Sequence, residues 1–478
     1  MNIENLKVES GSSIRQALKA IDIEGSGICF IVNKKQLVGV MTDGDARRAL
    51  ISGITLEDSV DKVMKRSFFS LEVGANLHEI QKGLLKYKYI PILSDINEMI
   101  DLATLGRYHQ IPLVQPVFDG NELEYVTDCI TSGWISSQGK YVRQFEEDFA
   151  KYIGGGKALA VSNGTVALHL ALCALGVGPG DEVIVPNLTF VAPVNAVIYV
   201  GATPVLVDID EDTLCMNCES VRSAITQRTK AILPVHLYGN AANMIELSDI
   251  ADKMGLLLIE DCAEALGTRL GGKHVGLFGG AATFSFFGNK TITTGEGGMV
   301  IFNDDNTFDR AKMLRDHGMS VERRYWHTEV GFNYRMTNLQ AAIGVAQLQR
   351  VDFFVNKKRW IAKIYDDGLK GVVDINRPGE GDGVFNSYWL YTIVLSSRFD
   401  GRRDELLEFL KDSGIEARPV FYPVHLMPPY QKYNSDGTNF PISNMASERG
   451  VSLPSSIGIT EAEVNRVCSV LRMFVDRA

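Results

Sequence analysis

The chain has 478 residues, 45% apolar, 22% charged and 9% aromatic, with a net charge of −10. That length exceeds what one hydrophobic core supports, so two or three domains are expected, and the composition excludes disordered and fibrous classes. The acidic balance speaks against a nucleic-acid partner, and seven scattered Cys, in which Cys215-x-x-Cys218 has no second CxxC to pair with, speak against a disulfide framework or a metal site. No apolar run reaches the roughly 18 residues of a spanning helix and the amino terminus carries no leader pattern, so the expectation is a cytoplasmic protein without a membrane partner.

Residues 1–110 read as alternating short helices and strands: IRQALKAID helical, ICFIVN and LVGVMT strand-like, DARRALIS helical. A weaker second copy follows in VMKRSFFSLEV, LHEIQKGLLKY and YIPILSD, which repeat the order of connector, helix and strand. After IPLVQPVFDG the texture changes. Across residues 111–355, helical stretches alternate with continuously apolar strands, EVIVP, PVLVDID, AILPVHL and LLLIED. Strands without polar alternation, separated by helices, indicate an α/β fold with a mainly parallel sheet covered on both faces. Residues 356–478, with YWLYTIVLS, DELLEFLKDSG and EAEVNRVCSVLRMF, suit a smaller α+β domain closing over that sheet.

Three segments carry chemistry. SNGTVALHLALCALG sets Asn163, Gly164 and Thr165 ahead of an apolar helix, where free amides and the positive helix end receive a phosphate; a plain helix cap explains the same residues. LLLIEDCAEALG puts Glu260 and Asp261 at the end of a buried strand, where open α/β sheets bind ligands. A buried acid needs a cation or several donors, and a protonated pyridine nitrogen is one such partner; a carboxylate capping the next helix is the plainer reading. In TFSFFGNKTITTGEGGMV a strand runs through Gly288 and Asn289 into Lys290 and a glycine-rich turn. An amine there, among aromatic side chains, can lose its proton, condense with an aldehyde and then act as a general base; an exposed loop lysine is the alternative. Phe190 in NLTFVAP is either a core aromatic or a ring stacked on a flat ligand.

SNGTVAL, LTFVAP, IEDCAEALG, FSFFGNKTITTGEGG and GFNYRMTNLQAAIG occur in the order and spacing of one family. Residues from about 112 to 475 resemble the DegT/DnrJ/EryC1/StrS sugar aminotransferases of the fold-type I class that uses pyridoxal phosphate (PLP). The resemblance implies that Lys290 bonds the cofactor, Asp261 binds its pyridine nitrogen and Phe190 stacks on its ring. It further implies that Gly164, Thr165 and Ser285 hold the phosphate and that Asn333 reaches it from the second subunit of a homodimer. Glu264 stands where many relatives carry Gln or His, and Tyr422 and His425 fall in a segment, RPVFYPVH, that in relatives approaches the sugar nucleotide.

The activity so implied is transfer of an amino group, from glutamate, to C4 of a nucleotide-linked 4-keto-6-deoxyhexose of the GDP-4-keto-6-deoxymannose type. A UDP-linked N-acetylhexosamine substrate, a PLP-dependent sugar dehydratase and a nucleotide-sensing regulator are the alternatives; retention of Lys290 speaks against the dehydratase. The amino-terminal unit resembles a CBS-domain pair through LVGVMTDGDARRAL, with the Gly39-x-x-Thr42-x-x-Asp45 pattern such domains use for adenosine nucleotides. This makes Thr42 and Asp45 candidates for a regulatory nucleotide site, against a dimerising or tethering role. The second copy, ILSDINEMIDLATLGRY, lacks that pattern and is degenerate.

Overall fold

The computed structural model describes residues 3–75, 77–104, 110–320, 322–434 and 437–477; the LGRY end of the second copy, residues 105–108, lies outside them. The chain forms two compact units, residues 1–110 and 111–478.

In the first unit, β1 (Lys7–Glu9), a helix (Ile14–Glu24), β2 (Ile28–Asn33), β3 (Gln36–Thr42) and a helix (Asp43–Ile51) make one half. β4 (Leu71–Glu72), a helix (Leu77–Leu84), β5 (Tyr89–Leu93) and β6 (Met99–Thr104) make the other. Each half is a three-stranded sheet whose middle strand runs parallel to the first and antiparallel to the third. A Ser13–Gln16 capping box starts the first helix, and Gly25, in the left-handed region that a residue without Cβ enters freely, ends it. Neither half buries its apolar face alone. Phe30, Val32 and Leu37 from one share a core with Leu93, Met99 and Leu102 from the other.

The second unit is built on seven strands in the order β7-β15-β14-β11-β10-β8-β9. They are β7 (Lys157–Val161), β8 (Glu182–Pro186), β9 (Thr203–Val207), β10 (Thr229–Ile232), β11 (Leu257–Asp261), β14 (Ala281–Ser285) and β15 (Gly298–Phe302); β12 (Arg269–Leu270) and β13 (Lys273–His274) form a hairpin beside the sheet. Only β15 opposes its neighbours' direction, so the sheet is mixed but mainly parallel. The continuous apolar runs follow from burial on both faces. Leu159 and Val161 of β7 and Val300 and Phe302 of β15 enter one core, while Ala158, Ala160, Met299 and Ile301 enter the other. The second core centres on Phe145, Phe149, Phe284 and Phe286, packed mostly at steep angles to one another.

The helix Val351–Gly368 leads to a second sheet, β16-β18-β20-β19, from β16 (Ile375–Asn376), β18 (Tyr391–Leu395), β19 (Arg418–Pro419) and β20 (Gly450–Leu453), while β17 (Val384–Phe385) pairs with β12. Helices Arg403–Asp412 and Glu461–Asp476 cover it around a third core. Among the described residues, no helix is long and apolar enough to cross a membrane.

Candidate active site

A cavity of about 600 Å³ opens at the carboxyl ends of β7, β8, β11 and β14, the crevice where parallel sheets receive ligands. Asn163 caps the helix Gly164–Ala174: its side chain takes the Val166 N–H at 3.0 Å and its carbonyl the Ala167 N–H. The described residues give the Gly164 and Thr165 amides no acceptor, so both are available to an anion at the positive helix end. The cap and phosphate readings of this segment are thus compatible. Ser285, at the end of β14, faces the same point, and a Cβ on Gly164 would lie 2.8 Å from the Ser285 Cβ. Glycine is required by that approach.

Asp261 ends β11 and is 4% exposed. Its Oδ1 accepts the Ala263 N–H at 2.9 Å, and the described residues offer its other oxygen no hydrogen bond. Burial pushes its pKa up to about 6, offset only in part by that amide and the Lys290 cation. Its backbone is pinned on both sides, to the Pro234 carbonyl and the His236 N–H. Behind it, Glu260 is fully buried, and its oxygens accept His236 Nε2–H and the Gly276, Phe278 and Gly279 amides. Burial raises the Glu260 pKa, and these donors outweigh it to hold the acid below the usual range. His236, Glu260 and Cys262 have metal-binding geometry, but the acid and imidazole are already spent: His236 Nδ1 accepts the Ala242 N–H.

Lys290 lies on the loop after β14, with Nζ 3.2 Å from Glu264 Oε1 and 3.8 Å above the Trp389 ring. The other Glu264 oxygen accepts the Tyr238 N–H at 3.0 Å. Tyr238 is buried at φ 54°, a left-handed conformation that strains a residue with a side chain. Its ring stacks between Trp389 and Phe421, and its hydroxyl accepts the Phe421 N–H. Phe190 is 56% exposed and lines the cavity, so its ring is not part of the core.

The remaining candidates lie elsewhere. Asn333 is exposed, with Oδ1 bound by Arg335, and does not line the cavity. Tyr422 packs under the Arg403 guanidinium and His425 bonds Asn187; from their segment Arg418, Pro419 and Phe421 line the cavity instead. Sequence reasoning missed Tyr238, Trp389, Thr189 and Arg418; the YG step in PVHLYGN, in the turn six residues past the end of β10, is the local signal for the first. In the first unit Thr42 and Asp45 form a capping box, and Asp45 also pairs with Arg48 and Lys65. Burial pushes the Asp45 acid up, and bonds from Thr42, Lys65 and Arg48 bring it down to about 2. A cleft of about 640 Å³ opens beside them, lined by Arg15, Lys19, Ser26, Gly27, Asp43 and Lys88 among others.

The cavity fits PLP. Buried Thr189 Oγ1 and Asn289 Oδ1 have no partner and line it, so a polar ligand is owed there. The free amides of Gly164 and Thr165 suit a phosphate, and the half-satisfied Asp261 suits a pyridinium.

The profile of the DegT/DnrJ/EryC1/StrS aminotransferase family matches residues 116–472. The GDP-perosamine synthase of Vibrio cholerae is 49% identical over 365 residues, covering 76% of this chain and 99% of its own. Among solved structures, DesV of S. venezuelae superimposes with a TM-score of 0.71 at 35% identity over 75% of this chain and 95% of its own. The PLP form of Spr1654 from Streptococcus pneumoniae gives 0.74 at 28% identity over 77% and 99%. The chain belongs to the DegT/DnrJ/EryC1/StrS family and is a PLP-dependent aminotransferase.

Proposed function

We propose that this enzyme transfers an amino group from glutamate to C4 of a GDP-linked 4-keto-6-deoxyhexose, giving a GDP-perosamine-type product. The observation that carries the reading is Lys290, set beside Glu264 in one cavity with Asp261, on a chain that spans 99% of a GDP-perosamine synthase at 49% identity. Bound there, PLP supplies an aldehyde for amine exchange and an electron sink for the substrate carbanion. The Gly164 and Thr165 amides with the Ser285 hydroxyl hold its phosphate, Asp261 accepts the pyridine N–H, and Phe190 covers the ring. Lys290 Nζ moves the proton at the reacting carbon in both half-reactions, and Glu264 Oε1 accepts a hydrogen from it. Asn333 completes the phosphate site of the other subunit in a homodimer, and Tyr422 and His425 flank the sugar nucleotide. The enzyme works in the cytoplasm, in keeping with its seven unpaired thiols.

Absorbance spectroscopy tests this reading. Glutamate bleaches the visible band of the PLP-loaded enzyme, and GDP-4-keto-6-deoxymannose restores it with formation of a C4 amine. Failure to bleach removes the aminotransfer, and restoration by a UDP-linked N-acetyl keto sugar in place of the GDP sugar moves the substrate assignment.

The first unit is a CBS-type pair that binds a regulatory nucleotide in the cleft beside Thr42 and Asp45. The two sheets of like strand order sharing one core support this. Calorimetric titration of AMP and ATP into the full chain tests it, and absence of binding removes it.

A further inference from the structure

We propose that Arg418 is the shared anion receptor of the active-site cavity, taking a carboxylate of the amino donor in one half-reaction and the diphosphate of the nucleotide sugar in the other. The inference rests on the aminotransfer proposed above and adds the group that recognises both substrates.

Among the described residues lining the cavity, Asp261, Glu264 and Glu296 are acids, and Lys290 and Arg418 are the basic side chains. Lys290 is paired with Glu264 and reserved for the cofactor. Both substrates are anions, and an anion entering a cavity whose acids outnumber its cations needs a counter-charge. Arg418 is the cation left to provide it. Its guanidinium presents a rigid fork of donors that matches a carboxylate and a phosphate equally well, so one side chain can serve two chemically different ligands in turn.

Position supports the assignment. Arg418 sits on β19 opposite Ser452, which also lines the cavity. The strand around it is fixed: the Glu416 N–H bonds the Ile111 carbonyl, the Val420 N–H that of Gly450, and the Phe421 N–H the Tyr238 hydroxyl. The side chain on that rigid base is exposed, and its ion pair to Glu416 at 3.3 Å, the one it makes among the described residues, is solvent-facing and exchanges for a ligand at little cost. Because the donor and the nucleotide sugar use the same fork, they exclude one another. This suits an enzyme whose two half-reactions alternate in a single cavity.

The test uses the PLP-loaded full chain as wild type, Arg418→Lys and Arg418→Gln. The glutamate concentration that half-bleaches the visible band reports the donor, and calorimetric titration of GDP reports the nucleotide without turnover. Arg418→Gln is expected to weaken both by about ten- to a hundredfold, with Arg418→Lys in between and the resting band and thermal midpoint unchanged. In wild type, GDP raises the half-bleaching glutamate concentration; in Arg418→Gln it no longer does. If Arg418→Gln leaves either ligand unaffected, or GDP and glutamate do not compete in wild type, the shared role is overturned while the aminotransfer stands. Wild type that glutamate fails to bleach overturns the aminotransfer, and this inference with it.

Discussion

Replacing Asp261 by Asn isolates the cost of burying a carboxylate before its ligand arrives. Asp261 is 4% exposed, and burial raises its pKa from 3.8 to about 6. The folded chain therefore holds this proton more tightly than the unfolded chain, so stability present below about pH 4 is lost as pH rises to about 6. The loss amounts to about 3 kcal/mol at pH 7.5 and roughly half that at pH 5. Asn keeps an oxygen for the Ala263 N–H and nearly the same volume but never ionises. Cofactor-free Asp261→Asn is accordingly expected to exceed wild type in urea unfolding by up to about 3 kcal/mol at pH 7.5, with the gain shrinking by half at pH 5. Loading PLP reverses the order, because only wild type presents a carboxylate to the pyridine N–H. A difference that does not change between the two pH values, or a variant less stable than wild type at pH 7.5, refutes the reasoning.

Lys290→Ala is expected to form no borohydride-reducible bond to PLP, checked by intact mass, and to lose both half-reactions. Gly164→Ala forces a methyl against Ser285, 2.8 Å away, and is expected to weaken PLP binding about tenfold with little change in the circular dichroism spectrum. Thr42→Val removes the capping box of the helix Asp43–Ile51 and lowers the stability of the first unit by about 1–2 kcal/mol, seen by calorimetry, with amino transfer unchanged. Phe145→Ala empties a fully buried ring site between the sheet and its helices, and costs the second unit about 3–5 kcal/mol by denaturant unfolding.

The parts of the site legible in the sequence are those made by neighbours in the chain. A glycine-bearing step before an apolar helix, an acid closing an apolar strand and a lysine after TFSFF each announce a strand end or a helix start, and the parallel sheet brings those ends to one crevice. What the sequence hides depends on partners far along the chain. The Glu264 contact requires the amide of Tyr238, 26 residues earlier, and that amide points correctly only because Tyr238 adopts a left-handed backbone. Trp389 reaches Lys290 from the strand region of the second sheet, tethered through its indole N–H to the Asn289 carbonyl 100 residues away. Phe190 reads as apolar core from its neighbours, yet it stands at the cavity wall because the strand has ended four residues before it, at Pro186. The Thr42–Asp45 spacing was visible, but the capping box that occupies both side chains was not.

Tyr238 also bears on how this enzyme can be engineered. A search for thermostable variants would single it out, since glycine at a left-handed position relieves about 1 kcal/mol of strain. Yet the strained residue is where three fittings meet: the amide that steadies Glu264, the ring wedged between Trp389 and Phe421, and the hydroxyl that ties the carboxy-terminal sheet to the large one. Glycine would keep the first and forfeit the other two, trading a sturdier fold for a slack active site. Position 238 is therefore one to hold constant in any library, and stabilising changes are better sought at positions outside the cavity lining.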